Sequence, residues 1–191
     1  TVTVRFGSSA PTATLVVVAP TGTGALYGNV SVTATGKVAS STNYLLPLTT
    51  KSATVKLTVY STAAISTSVS ASATAYYTLT YGTGCNKGDM TPTNVTSAKK
   101  VTTNADGVVS IDIASTTPVD TCAVTVTFSG LSAATSDTNS SLVRTLTWQK
   151  PAAASVVVSP SGDFKSALLA TNKVTYSIYD QFGAPFVGKV V

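Results

Sequence analysis

Apolar and polar residues alternate with a period of two from one end of the chain to the other, the signature of half-buried β-strands. "TVTVRF" (1–6) puts Val2, Val4 and Phe6 on one face, and "GNVSVTA" (28–34) does so with Val30, Val32 and Ala34. "SATVKLTVY" (52–60) sets Ala53, Val55, Leu57 and Val59 against Thr54, Lys56 and Thr58. Tyr77, Leu79 and Tyr81 follow in "YYTLTY", Val109, Ile111 and Ile113 in "GVVSIDI", and Val124, Val126 and Phe128 in "CAVTVTF". Near the end of the chain, Val174, Tyr176 and Ile178 alternate with Thr175 and Ser177. Clusters such as "GTGCNKGD", "TNADG" and "SPSGD" separate the runs and supply turn conformations. No segment carries a stripe of period 3.6. The pattern predicts an all-β chain, with short strands stacked as a sandwich by Greek-key connections. Val55, Leu57, Tyr77, Leu79, Val109, Ile111, Val124, Val126 and Phe128 form its expected core.

Four stretches recur in the same order. "TVTVRFG" (1–7) matches "AVTVTFSG" (123–130), and "ATLVVVAP" (13–20) stands in the place of "VRTLTWQKP" (143–151). "VSVTATG" (30–36) matches "VVVSPSG" (156–162), and "YLLPLTTKSATVKLTVY" (44–60) matches "ALLATNKVTYSIY" (167–179). The implied unit is about 120 residues long, a normal size for a β-domain. The organisation expected is terminal strands of one module over 1–27, a complete module over 28–150, and opening strands of a further module over 151–191. Pro-containing linkers, "SSAPTA" and "QKPAAA", would limit bending between them.

Two segments point to a family. "YDQFGAPFVGKVV" (179–191) resembles the D-x-x-G-x-P-x-x-G-x-x-V segment of bacterial Ig-like repeats of the invasin and intimin type, and 101–130 resembles the second half of that module. The resemblance implies immunoglobulin-like β-sandwich modules in tandem. It assigns Asp180 and Gly183 to a turn, with Gly183 at positive φ, Pro185 to the exit, and Gly188 to a close backbone approach. The matching stretch of the central copy, "YSTAAISTSVSASATAYY", lacks Asp, Gly and Pro, so its turn must be built otherwise. Modules of this kind serve surface layers, adhesins and filaments alike, so the resemblance speaks to fold more than to function.

Composition narrows the chemistry. Of 191 residues, 35 are Thr and 24 are Ser, 10% are charged, and neither Glu nor His occurs. An ordinary soluble domain carries about 25% charge, so polarity here rests on hydroxyls. Without His, the commonest general base and metal ligand is missing. Acid–base work would fall to Asp89, Asp106, Asp112, Asp120, Asp137, Asp163 and Asp180, whose spacing singles out no pair. Enzymatic activity and a cofactor are therefore not expected. "NADG" (104–107) and "PVD" (118–120) would offer oxygen ligands to Ca²⁺, but lack the regular ladder of a dedicated loop. A hairpin or type I turn at Asp106-Gly107 is the simpler reading. Trp148 suits the core or a module junction better than ligand stacking.

The net charge of +5 is scattered, apart from Lys99-Lys100, which argues against nucleic acid as a partner and permits only peripheral attraction to a cell envelope. Cys85 and Cys122 each border a strand pattern. An even cysteine count in such a chain reads as a disulfide and an oxidising, extracellular or cell-surface location, with two buried thiols as the alternative. No signal peptide and no apolar run of membrane-spanning length is visible, as expected for mature or excised material. N-x-S/T sequons occur at Asn29, Asn94 and Asn139, no more than chance allows among seven Asn. The function expected is structural: a segment of a surface layer, extracellular filament or adhesin stalk that associates with identical chains. A carbohydrate- or receptor-binding module, or an accessory domain of a secreted enzyme, is the alternative. Pairing of terminal strands between molecules would give a head-to-tail polymer; an excerpt of a longer tandem chain explains the same ends.

Overall fold

A computed structural model describes residues 2–4, 13–15, 24–65, 69–82, 84–85, 90–92, 95–115, 121–135, 141–159 and 174–187, the first two segments through their backbone alone. Phe6 and Gly188 lie outside the described residues. Among those described there is no helix. The strands are β1 (Val2–Val4), β2 (Ala13–Leu15), β3 (Tyr27–Thr33), β4 (Val38–Ser40), β5 (Asn43–Pro47), β6 (Ser52–Tyr60), β7 (Thr74–Tyr81), β8 (Met90–Thr91), β9 (Lys99–Thr102), β10 (Val108–Ser115), β11 (Thr121–Ser129), β12 (Ser132–Ala133), β13 (Val143–Gln149), β14 (Ala153–Ser159) and β15 (Thr175–Asp180).

Residues 24–150 build the sandwich. One sheet has the order β12-β3-β6-β10-β8, and the other β4-β5-β13-β11-β7-β9. Pairing is antiparallel except for β12 with β3 and β13 with β5. The period-two runs decide which faces meet. β6 alternates inward Ala53, Val55, Leu57 and Val59 with half-exposed Thr54 and Thr58 and exposed Lys56. β11 does so with Cys122, Val124, Val126 and Phe128. All nine expected core residues belong to one buried cluster, joined by Tyr44 and Leu46 of β5 and by Leu146 and Trp148 of β13. Each fully buried side chain of this size stabilises by about 1.5–3 kcal/mol.

The sheets are also tied by polar contacts. Arg144, 1% exposed, donates through Nη1 to the carbonyls of Ser141 (2.7 Å) and Val143 (2.8 Å), and through Nη2 to Val30 in the opposite sheet (2.6 Å). Trp148 Nε1 donates to the Thr50 carbonyl at 2.6 Å, so this residue belongs to the core. The Asp106-Gly107 turn is not a hairpin within one sheet. It carries the chain from β9 in one sheet to β10 in the other. Asn104 Oδ1 accepts from the N–H groups of Asp106 and Val108, and Gly107 takes φ 70°. A Cβ at Gly107 would stand 2.8 Å from Val69 Cβ.

Two ribbons flank the sandwich in sequence, and their pairing follows its own. In β1–β2, Val2 faces Leu15, Thr3 faces Thr14 and Val4 faces Ala13. In β11–β13, Val124 faces Leu146, Thr125 faces Thr145 and Val126 faces Arg144. β14–β15 is antiparallel, like β3–β6. Tyr179 bridges to Pro185 while the Phe186 N–H reaches the Ile178 carbonyl, just as Tyr60 bridges to Val69 while the Ser70 N–H reaches the Val59 carbonyl. Matching Tyr60 to Tyr179 pairs Tyr27 and Ser155 with them, so Val158 takes the place of Val30. That is two residues from the sequence match at Val156, with the strand faces unchanged. Both faces of this ribbon are open, with Val156 59% exposed on one and Val157 54% exposed on the other.

Substituting Ile113→Asp, at a fully buried core position opposite Ala53, puts an unpaired carboxylate between the sheets and should cost about 3 kcal/mol or more. Urea denaturation should show the midpoint falling steeply or the folded baseline lost; an unchanged midpoint would mean that Ile113 does not face the core.

Candidate functional site

The features singled out for chemistry gather at the end of the sandwich where the chain leaves for β14. β7 runs into Gly82, whose N–H donates to the Ala123 carbonyl at 2.7 Å, and this draws the β7 exit against β11. Cys85 and Cys122 are thereby brought to a Cα–Cα distance of 4.7 Å and are bonded, closing 37 residues of sequence. Beside them the Tyr81 hydroxyl donates to the Pro92 carbonyl at 2.6 Å. Burial raises the Tyr81 phenol above its ordinary range, opposed by a hydrogen bond from the Val95 backbone and assisted by Tyr77.

The turn after β15 is built as the motif requires. Asp180 is buried, and its Oδ1 accepts from the N–H groups of Phe182 and Ala184, both at 2.9 Å. The Gly183 N–H returns to the Asp180 carbonyl with φ at 79°. In the sandwich, the chain just after β6 is held from outside: Thr135 donates to the Ala63 carbonyl through both its N–H and its hydroxyl.

Gln181 fixes the linker. Its amide oxygen accepts from the Ala152 N–H and its amide nitrogen donates to the Lys150 carbonyl, each at 2.7 Å. Between this turn and the sandwich lies a cavity of about 610 Å³, walled by Pro47, Leu48 and Pro151 on one side and Phe182, Pro185 and Phe186 on the other. Its lining is chiefly apolar, suited to packing.

Other sequence candidates are dispersed. Asn29 lies in the middle of β3 opposite Thr58, half-buried on the outer sheet face. Asn94 and Asn139 fall outside the described residues, as do Asp89, Asp120, Asp137 and Asp163. Asp112 accepts from the Thr54 hydroxyl at 2.6 Å, and Asp106 sits in the β9–β10 turn. Among the described residues no group of three or more His, Cys, Asp or Glu is placed to hold a metal, and no helix is long and apolar enough to cross a membrane. Sequence reading missed Arg144 and Gln181. The signal for Arg144 was present, since it shares parity with Leu146 and Trp148. No family model, curated protein or solved structure matches the chain.

Reducing the disulfide should lower unfolding stability by about 4 kcal/mol for a loop of this length, read as a drop in the denaturation midpoint reproduced by the Cys85→Ala/Cys122→Ala variant. Tyr81 contributes in the opposite direction to a depressed acid. Its pKa is raised by folding, so its share of stability is intact below the usual tyrosine value of about 10 and is lost as pH rises through the folded value. Alkaline unfolding should therefore be less steep in Tyr81→Phe, with one phenol fewer titrating late at 295 nm.

Proposed function

We propose that the chain is a stretch of tandem Ig-like modules, of the invasin and intimin kind, from a secreted or cell-surface structural protein such as a surface layer, extracellular filament or adhesin stalk. It works by spacing and by association with identical chains. The observation that carries this reading is the register of β1–β2, which repeats that of β11–β13 residue for residue. The turn after β15 adds to it, sharing its bridge and hydrogen bond with the turn after β6 and fitting the Asp180–Gly183 pattern of that family. The disulfide suits an oxidising compartment.

On this reading β1–β2 and β14–β15 belong to neighbouring modules. Their counterparts β11–β13 and β3–β6 lie in opposite sheets, so ribbons of this kind meet by stacking face to face. Further strands of the same module would cover the open apolar faces of β14–β15. The Gln181 contacts hold the linker at one angle, as a spacer requires. Catalysis has no part in the proposal.

Antibody raised against residues 24–150 should label intact cells of the source, or the material they shed, as strongly as permeabilised cells. Labelling seen only after permeabilisation would overturn the surface assignment. The fragment 24–150 should melt as a single cooperative unit; failure to fold alone would overturn the modular one.

A further inference from the structure

The outward face of the six-stranded sheet is rich in threonine and uncharged on its four inner strands. Thr78 and Thr80 on β7, Thr125 and Thr127 on β11, and Thr145 and Thr147 on β13 alternate with buried core residues and so point outward. The register lines them up: Thr80, Thr125 and Thr145 form one row, and Thr78 stands beside Thr127 in the next. Strand geometry spaces such hydroxyls about 4.8 Å across the sheet and about 6.8 Å along it. Thr125 and Thr145 hydrogen-bond each other at 3.0 Å. The outward positions of β5, β7, β11 and β13 hold no charged residue, and Lys100 borders the face only from β9. The opposite sheet carries Lys56 and Asp112 outward.

We infer that this threonine face is where copies of the chain pack against one another, sheet face to sheet face. The inference rests on the proposed self-association and names its surface. A hydroxyl both donates and accepts, so a threonine array complements itself, as a two-fold contact requires. For a chain of net charge +5 a contact on this face avoids like-charge repulsion, and the other uncharged surface, on β14–β15, is on the proposed reading covered by its own module. The edges of the sandwich's two sheets are poor alternatives, and those of β14–β15 are on the proposed reading taken up by strands of its own module. The sandwich's sheets end in β12 and β8 of two residues, β4 of three and β9 of four, the last carrying Lys99 and Lys100, and short or lysine-bearing edge strands discourage pairing. Other occupants fit less well. Strands rotate by about 20–25° from one to the next, which a flat crystalline surface cannot follow but a second sheet of equal twist can. A sugar polymer would want aromatic platforms, and Tyr76, at the margin of the face, is its single exposed aromatic among the described residues.

Four strands at this spacing, each about 20 Å long, offer about 400 Å² per copy, half of the roughly 800 Å² per partner of a standard interface. One contact is therefore weak, and it gains strength by repetition along tandem modules. In β1–β2, Thr3 stands opposite Thr14 in the register that Thr125 and Thr145 adopt, so the pattern continues into that ribbon.

The test is sedimentation equilibrium of the intact 191-residue chain at concentrations reaching the millimolar range. The wild type should associate reversibly. Thr125→Lys/Thr145→Lys should weaken association about tenfold or more by setting like charges face to face, while Asn29→Lys/Thr33→Lys on the opposite sheet, where the cross-strand partners are Thr58 and Thr54, should leave it unchanged. Thr80→Lys puts a charge on an exposed position of the same face and serves if the double variant does not fold. If both threonine-face variants associate as well as wild type, this face is not the contact although self-association stands. If the wild type is monomeric throughout, the self-association reading fails, and the face with it.

Discussion

A guanidinium in the middle of a sandwich is expensive unless its N–H groups find acceptors. Arg144 finds them in backbone carbonyls on both sides of the core, two on its own side and one at Val30 on β3. The bond to Val30 does more than satisfy a charge. Apolar packing aligns the faces by shape alone, whereas this hydrogen bond also fixes a donor to one acceptor. Trp148, four residues further along β13, adds a second fixed point at Thr50, in the crossing from β5 to β6. With one bond to the opposite sheet and one to the connection between the sheets, both on one strand, the stacking of the sheets is set, and with it which side chains meet in the core.

The same strand leads out of the sandwich. β13 is flanked by β5 in parallel and β11 in antiparallel pairing, and it passes directly into Lys150 and Pro151, where Gln181 holds the linker. In a tandem stalk, tension on that linker would run along β13 and load both ladders at once. The disulfide sits at this end too, tying Cys122 at the start of β11 to the segment after β7. Arg144 has no counterpart in the β1–β2 ribbon, where Ala13 occupies the matched position opposite Val4. If that ribbon belongs to a module of the same kind, its sheets must be keyed by some other pair.

What was legible in the sequence follows from what period two encodes. Alternation tells which face of a strand is buried, and all nine residues expected in the core are there. It does not tell which strand lies beside which. The parallel pairing of β5 with β13, and the passage of the Asp106-Gly107 turn from one sheet to the other, are set by tertiary packing that no local pattern carries. Asp180 and Gly183 were assigned through the family resemblance, which a short motif can carry because the turn is local: a carboxylate accepts from two nearby N–H groups, and a glycine supplies positive φ. The support of the chain just after β6 was not legible, because it comes from Thr135, distant in sequence. Arg144 was overlooked because a charge within an apolar alternation reads as an interruption of the core rather than as part of it.

Threonine is the residue that reconciles these demands. An outward position on a sheet must favour extended backbone and remain wet. Valine meets the first need and lysine the second, but valine would leave an apolar patch and lysine would charge it. The β-branch of threonine holds the strand conformation while its hydroxyl keeps the surface hydrated and uncharged. A chain with few charges can thus keep its sheets from collapsing onto arbitrary apolar partners without repelling its own kind. Short edge strands at both ends of both sheets work in the same direction, because they deny neighbours a ladder to extend. On the proposed self-association, contact between copies of the sandwich would then be left to the faces, where twist and hydroxyl spacing favour a partner of the same build.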